Sequence, residues 1–130
     1  MTTFPRWQLR FTRTRKGAEP EVLEFRCDDL GVGRAGSDLT LPSKIVSREH
    51  CQFRIDPRGH LLVTDLGSTN GTFVNDVRLA PHAPTQVEVD DVVRIGEWEL
   101  RLDDTPEPVE KAMSRSAALE AARDRAALRR

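Results

Sequence analysis

Cysteine, lysine, long apolar runs and an excess charge of either sign are all scarce in this chain, and each shortage narrows what it can be. Its two cysteines, Cys27 and Cys51, stand far apart with no CxxC pairing, which reads as two reduced thiols packed as small apolar groups. No stretch approaches the length of a membrane span, and the opening MTTFPRWQLRF lacks the apolar region of a secretory signal. No membrane association is therefore expected, and a cytoplasmic location is. The 20 Lys and Arg residues are balanced by 21 Asp and Glu, a net charge of −1. Affinity for a phosphate backbone rests on a cationic excess, so no nucleic acid partner is expected, although a local basic patch is compatible with the total. His50, His60 and His82 show no metal-ligand spacing with the cysteines, so no metal or other cofactor is implied. Frequent Arg and Ala with few Lys suit a GC-rich bacterial source.

What is present is enough for one domain with a real core: 130 residues, 38% apolar and 32% charged. Trp7, Leu9 and Phe11 alternate with Gln8, Arg10 and Thr12, the period of a strand with one buried face. Residues 12–20, polar with Gly17 and Pro20, read as a hairpin-like loop, and Val22 to Cys27 as a second strand. Short apolar pairs recur at Leu30 and Val32, Leu39 and Leu41, Cys51 to Ile55, and Leu61 to Val63. Later strands are expected at Thr72 to Val74, Val87 to Val89, Val92 to Ile95 and Trp98 to Leu102. Turn signals, among them Asp56-Pro57-Arg58-Gly59, Asn70-Gly71 and Asn75-Asp76, separate many of them. Many short strands without long helical periodicity before Pro106 predict an all-β sandwich.

Composition changes at Asp103-Asp104-Thr105-Pro106-Glu107-Pro108, where the prolines predict a stop and a short stiff linker. The division is then residues 1–105 as the binding domain and 106–130 as linker and tail. The tail is rich in Ala, Leu, Glu and Arg and predicts a helix with a thin apolar face of Ala112, Leu119 and Ala126, flanked by Met113 and Ala122. Docking on the sandwich, self-association with another chain and fraying all remain open for it. Arg123, Arg125, Arg129 and Arg130 suit the negative end of a helix macrodipole better than a nucleic acid.

Three fragments fall in fixed order within the β-rich region: Gly33-Arg34, Ser47-Arg48-Glu49-His50, and Gly67-Ser68-Thr69-Asn70-Gly71-Thr72. An arginine brings a planar charged fork, a loop serine a short hydroxyl donor, and a glycine-flanked Ser-Thr-Asn turn hydroxyls, an amide and exposed N–H groups. Together they suggest an oxyanion receptor built from loops. Two rival motifs fail. Gly31 to Gly36 matches GxGxxG, but the following Ser37 to Pro42 reads as a strand instead of the helix a dinucleotide site requires. Ser47, His50 and Asp65 lack the GxSxG surroundings of a nucleophile elbow, so no enzyme activity is expected.

Between Gly33 and Gly96 the chain reads GRAGSDLTLPSKIVSREHCQF, then VTDLGSTNGTFVND, then DDVVRIG. This resembles the forkhead-associated (FHA) domain, a β-sandwich that binds phosphothreonine peptides, over roughly residues 7 to 103. The resemblance implies about eleven strands in two packed sheets. It assigns phosphate contacts to Arg34, Ser47 and Thr69, with Arg48 adding a donor from the same loop, and contact with the peptide main chain to Asn70. His50 is expected to hold the binding loops in shape, as are Gly33, Gly67 and Gly71, with Asp65 and Asn75 bracing loops. Lys44 and Ile45, in the loop before Ser47, would set selectivity after the phosphothreonine. The implied role is a phosphothreonine-dependent adaptor in Ser/Thr kinase signalling, its partner a kinase or kinase substrate. The alternative is a structural or assembly subunit whose pocket is idle or filled by its own phosphorylated flank, with Thr2, Thr3 and Thr105 as candidates.

Overall fold

The computed structural model describes residues 6–115, and within them twelve strands form two sheets. In chain order these are β1 (Trp7–Arg15), β2 (Glu21–Cys27), β3 (Asp29–Gly33), β4 (Leu39–Thr40), β5 (Cys51–Ile55), β6 (Leu61–Asp65), β7 (Thr72–Val74), β8 (Val77–Arg78), β9 (Thr85–Val87), β10 (Val92–Ile95), β11 (Trp98–Leu102) and β12 (Glu107–Pro108). One sheet runs β12-β1-β11-β10-β7-β8 with β2 also paired to β1; the other runs β4-β3-β5-β6-β9. The two sheets form the all-β sandwich that the strand pattern predicts.

Alternation builds the core. Leu9 and Phe11 of β1, Phe53 and Ile55 of β5, Leu61 and Val63 of β6, and Leu100 and Leu102 of β11 turn inward and are buried, while their neighbours face water. Each such side chain contributes about 1.5–3 kcal/mol by leaving water. Phe11 and Phe53 meet across the two sheets with ring centroids 5.0 Å apart at 50°, a tilted contact that ties the layers at mid-height. Cys51 is buried and Cys27 half-buried, both free. Burial, then the carboxylates of Asp28, Asp29 and Asp38, pushes the Cys27 thiol up to about 11.

Register fixes which turns share an end. Arg15 stands opposite Trp98, so β1 finishes where the Gly96-Glu97 turn joins β10 to β11. A Cβ on Gly96 would lie 2.8 Å from Val46 Cγ2, and His50 Nε2 is 2.9 Å from the Gly71 carbonyl oxygen. The 41–50 and 66–71 connections and the β10–β11 turn therefore gather at one end, called here the loop end. The turns at 56–60, 75–76 and 88–91, with Thr105, lie at the far end.

Several boundaries differ from the sequence expectation, each for a tertiary reason. β1 runs through Arg15 because Arg13 and Arg15 continue the inward parity of Leu9 and Phe11. Their guanidinium carbons lie 4.7 and 4.5 Å from the Trp98 ring centroid, so apolar stems and cation–π contact replace an apolar side chain. The strand expected at Val87 to Val89 is instead Thr85–Val87, with Val87 opposite Leu61 and Val89 exposed. β8 was not foreseen; Asn75 and Asp76, at φ 49° and 66°, form the two-residue hairpin turn that creates it. Nor was β12, where Glu107 and Pro108 pair with Gln8 and Trp7. Proline is tolerated there because an edge position asks for no N–H. The sheet thus continues past residue 105, and a helix begins at 109 with Ala112 buried and Met113 exposed. Thr2, Thr3, Leu119, Ala122, Ala126 and the arginines of the tail end lie outside the described residues.

Candidate functional site

The loop end is held together by side chains that bond the main chain of a neighbouring loop. β3 ends at Gly33, over which the 47–50 segment passes so closely that a Cβ would stand 1.8 Å from the Arg48 carbonyl oxygen. No other residue allows this approach, so the glycine has a steric reason. Main-chain bonds continue the seam: Arg34 N–H to Ser47 C=O at 3.0 Å, His50 N–H to Val32 C=O at 2.9 Å, and Leu41 N–H to Gly33 C=O at 2.8 Å. Arg34 is thereby rooted beside Ser47.

His50 is fully buried and joins two loops through its ring. The Ser47 N–H donates to Nδ1 at 3.1 Å, and Nε2 donates to the Gly71 carbonyl at 2.9 Å. A peptide N–H can only donate and a carbonyl only accept, so these partners assign the hydrogen to Nε2. Neither ring nitrogen bonds Ser47 Oγ or Asp65, and the arrangement of a proton relay is not formed. The ring instead ties the Ser47 main chain to the Gly71 main chain.

The 66–71 turn is built on Asp65, which is also buried. Its carboxylate accepts from Gly67 N–H at 3.0 Å, Ser68 N–H at 3.1 Å and Thr72 Oγ1 at 2.8 Å, and closely from the Ser68 hydroxyl. Burial raises the pKa of this carboxyl, and the bonds from Ser68, Thr72 and Gly67 outweigh it, holding the group below the ordinary carboxylate range. Ser68 Oγ also accepts the Gly71 N–H at 3.0 Å. Gly67 and Gly71 take φ of 79° and 87°, the left-handed region the turn needs at both its corners. The expected brace Asn75 does its bonding elsewhere, to Asp91 and Val92 at the far end.

Two bonds carry the turn across to the loop before it. Thr69 N–H donates to Ser47 Oγ at 3.2 Å, and Asn70 Nδ2 donates to the Ile45 carbonyl at 2.9 Å. Ser47 Oγ accepts in the first of these, which leaves its own hydroxyl hydrogen to donate outward. Asn70 spends one amide hydrogen on the chain itself, a use the sequence did not suggest; its second hydrogen and its carbonyl have no partner among the described residues. Thr69, Asn70, Arg48 and Lys44 are exposed and Arg34 half-buried. Among the described residues none of the three cations is in a salt bridge, whereas Arg10, Arg94 and Arg101 each face a carboxylate. The result is a rim of unpartnered donors above a fully bonded base.

Sequence reasoning missed three contributors. Ser68 counts in the sequence as one of the turn's hydroxyls, but its bonds are to Asp65 and Gly71, and the Asp-x-x-Ser spacing is that of a side chain capping its own turn. Glu97 accepts the Ser43 hydroxyl at 2.9 Å, and Ile45 and Val46 press on Gly96, so the β10–β11 turn supports the selectivity loop. Arg78 lies over Gly71, its Nε 2.7 Å from where a Cβ would be. Both depend on strands distant in sequence, and no local pattern announces them.

A family model described as FHA domain matches residues 30–96. FHA domain-containing protein PS1 of Arabidopsis thaliana is 45% identical over 69 residues, covering 52% of this chain and 5% of that protein. The human nuclear inhibitor of protein phosphatase 1 is 30% identical over 80 residues, covering 62% of this chain and 19% of the relative. The chain thus spans only a fraction of the curated relatives it matches. Among solved structures, one from a structural and functional analysis of phosphothreonine-dependent FHA domain interactions superposes with a TM-score of 0.62 at 29% identity, covering 75% of this chain and 99% of that one.

Proposed function

The chain belongs to the FHA domain family, and we propose that it is a phosphothreonine-dependent binding module whose receptor is the rim formed by residues 33–37, 43–50 and 67–72. The observation that carries the reading is the unpartnered state of the rim donors over a base in which His50, Asp65 and Ser68 have spent their bonds. A phosphoryl group carries about −1.5 to −2 charges and three acceptor oxygens. Arg34 meets two of them with its guanidinium fork, and the Ser47 and Thr69 hydroxyls and the Arg48 donor meet the rest. Asn70, with one hydrogen and its carbonyl unspent, suits the peptide main chain beside the phosphothreonine. Lys44 and Ile45 face the residues that follow, where Ile45 favours an apolar side chain and Lys44 an acidic one. The threonine methyl is expected to add about 1–3 kcal/mol over serine, the worth of one apolar contact.

The wider role we assign is that of an adaptor in Ser/Thr kinase signalling, recruiting a phosphorylated kinase or substrate. The similarity to a structure studied for phosphothreonine-dependent FHA domain interactions supports phosphothreonine recognition, and that to an FHA domain complexed with the intracellular domain of Rv3910 supports recruitment of a partner protein. No helix among the described residues is long and apolar enough to cross a membrane. Calorimetric titration with phosphothreonine, phosphoserine and unphosphorylated versions of one peptide tests the proposal. Binding should follow that order, and Arg34→Ala should abolish it with an unchanged circular dichroism spectrum, since losing one partner of a charged pair costs about 2–5 kcal/mol. Equal affinity for the unphosphorylated peptide, or retained affinity in Arg34→Ala, would refute it.

A further inference from the structure

The rim does not stop at Ile45. Ile45 and Val46 rest on Gly96, Glu97 is bonded to Ser43, and the next residue is Trp98, the first of β11. Trp98 is 8% exposed, and its indole N–H is buried with no acceptor among the described residues. A buried donor left unmet is costly, and what the ring provides in that position is a flat platform for Arg13 and Arg15. The two cations differ in one respect. Arg13 is bonded to Glu21, whereas Arg15 is half-buried and has no carboxylate partner among the described residues. Stacking holds the Arg15 guanidinium by its face, which leaves its N–H edges as fixed donors. Lys16, exposed in the adjoining turn, adds a second free positive charge.

We propose that Arg15, stacked on Trp98, is a specificity residue that reads acidic side chains in the bound peptide beyond the stretch faced by Lys44 and Ile45. The proposal rests on the phosphothreonine reading above, which supplies the direction of the peptide. Neighbouring strands lie about 4.8 Å apart and an extended chain advances about 3.3 Å per residue, so the step from the β10–β11 turn to β1 corresponds to roughly two residues. Glu97, bonded to Ser43 and next in the chain to Trp98, puts a negative charge at the β10–β11 turn, which disfavours an acid directly over that turn. The selected pattern is therefore a phosphothreonine, the apolar or acidic residue faced by Ile45 and Lys44, a non-acidic position over the β10–β11 turn, then acidic residues. A stacked guanidinium loses little freedom on binding, which makes it a better reader of carboxylates than a free surface arginine.

Two phosphothreonine peptides identical through the third residue after the phosphate, then carrying either four glutamates or four glutamines, test this by fluorescence anisotropy. At low salt the glutamate peptide should bind about fivefold tighter, the range of a favourable exposed charge pair, and the ratio should shrink as salt is added. Arg15→Gln should remove most of the ratio, leaving the part that Lys16 contributes, without altering affinity for the glutamine peptide. Arg15→Lys, keeping charge without the planar fork, should retain part of the ratio, and Arg26→Gln at the far end should retain all of it. Equal affinity of the two peptides for the wild-type chain, or an undiminished ratio in Arg15→Gln, overturns this proposal alone. Failure of both peptides to bind overturns the phosphothreonine reading and this proposal with it.

Discussion

The two ends of the sandwich solve the same problem, closing turns between strands, with opposite chemistry. At the far end the turns rely on carboxylates. Asp56 accepts the N–H groups of Arg58 and His60 within its own turn, and Asp91 accepts the Glu88 N–H and the Asn75 amide. At the loop end the buried carboxylate of Asp65 is consumed by hydroxyls and N–H groups, while Arg34, Lys44, Arg48 and, further along, Arg15 form no salt bridge among the described residues, with Glu49 and Glu97 exposed beside them. A net charge of −1 conceals this difference, because it sums local pairs such as Arg54–Asp29 and Arg94–Asp76 with loop-end cations that have no salt bridge among the described residues. What the difference teaches is that the far end satisfies its own hydrogen bonds and stops, while the loop end satisfies its base and leaves its rim to a guest.

The contrast can be broken most severely at His50. His50→Ala would leave the Ser47 N–H and the Gly71 carbonyl without partners in a buried site and open a cavity, a loss of about 3 kcal/mol or more in urea unfolding. Peptide affinity should fall with it, because Ser47 and the 66–71 turn would lose their common anchor. A stability change near zero would show that the loops do not depend on this ring.

Asp65→Asn should have an intermediate effect, about 1–3 kcal/mol, as an amide replaces an acceptor that serves several donors. It also sharpens the comparison through pH. The folded pKa of Asp65 is depressed, so its stabilisation is fully present above the unfolded carboxylate value near ~3.9 and is lost as pH falls through the lower folded value. Unfolding curves of the wild type should lose this contribution in that acid window, and those of Asp65→Asn should not. Parallel acid profiles would contradict the assignment.

The smallest effect is expected at the far end. Asp56 is also held below the ordinary range, with the His60 N–H bond the first cause, yet it is only half-buried and serves one turn only. Asp56→Asn should loosen that turn, visible as faster amide exchange at Arg58 and His60, while leaving phosphopeptide affinity unchanged. A drop in affinity would show that the ends are coupled.

The architecture was legible wherever alternation ran along buried strands, as from Trp7 to Phe11, Cys51 to Ile55 and Trp98 to Leu102, because a period of two directly records one buried face. It was not legible where an element exists only by virtue of a partner. β8 and β12 are two residues long and take their conformation from β7 and β1, and the end of β1 reads as polar until Trp98 is placed beneath its arginines. The loop motifs contain Gly33, Arg34, Ser47, His50, Thr69 and Asn70, which the structure connects by main-chain bonds at Gly33 and Arg34 and by side-chain bonds to main chain from Ser47, His50 and Asn70. The bond from Asn70 to Ile45 and the support of Ile45 by Gly96 were hidden, since both join segments far apart in the chain with no repeating pattern to betray them.

The most direct test of the account is an amide chemical-shift titration of the chain with a phosphothreonine peptide. The N–H signals of Arg34, Ser47, Arg48, Thr69 and Asn70 should move together and saturably, while those of 56–60 and 88–91 stay in place. Shifts confined to the far end, or none at the loop end under saturating peptide, would contradict it.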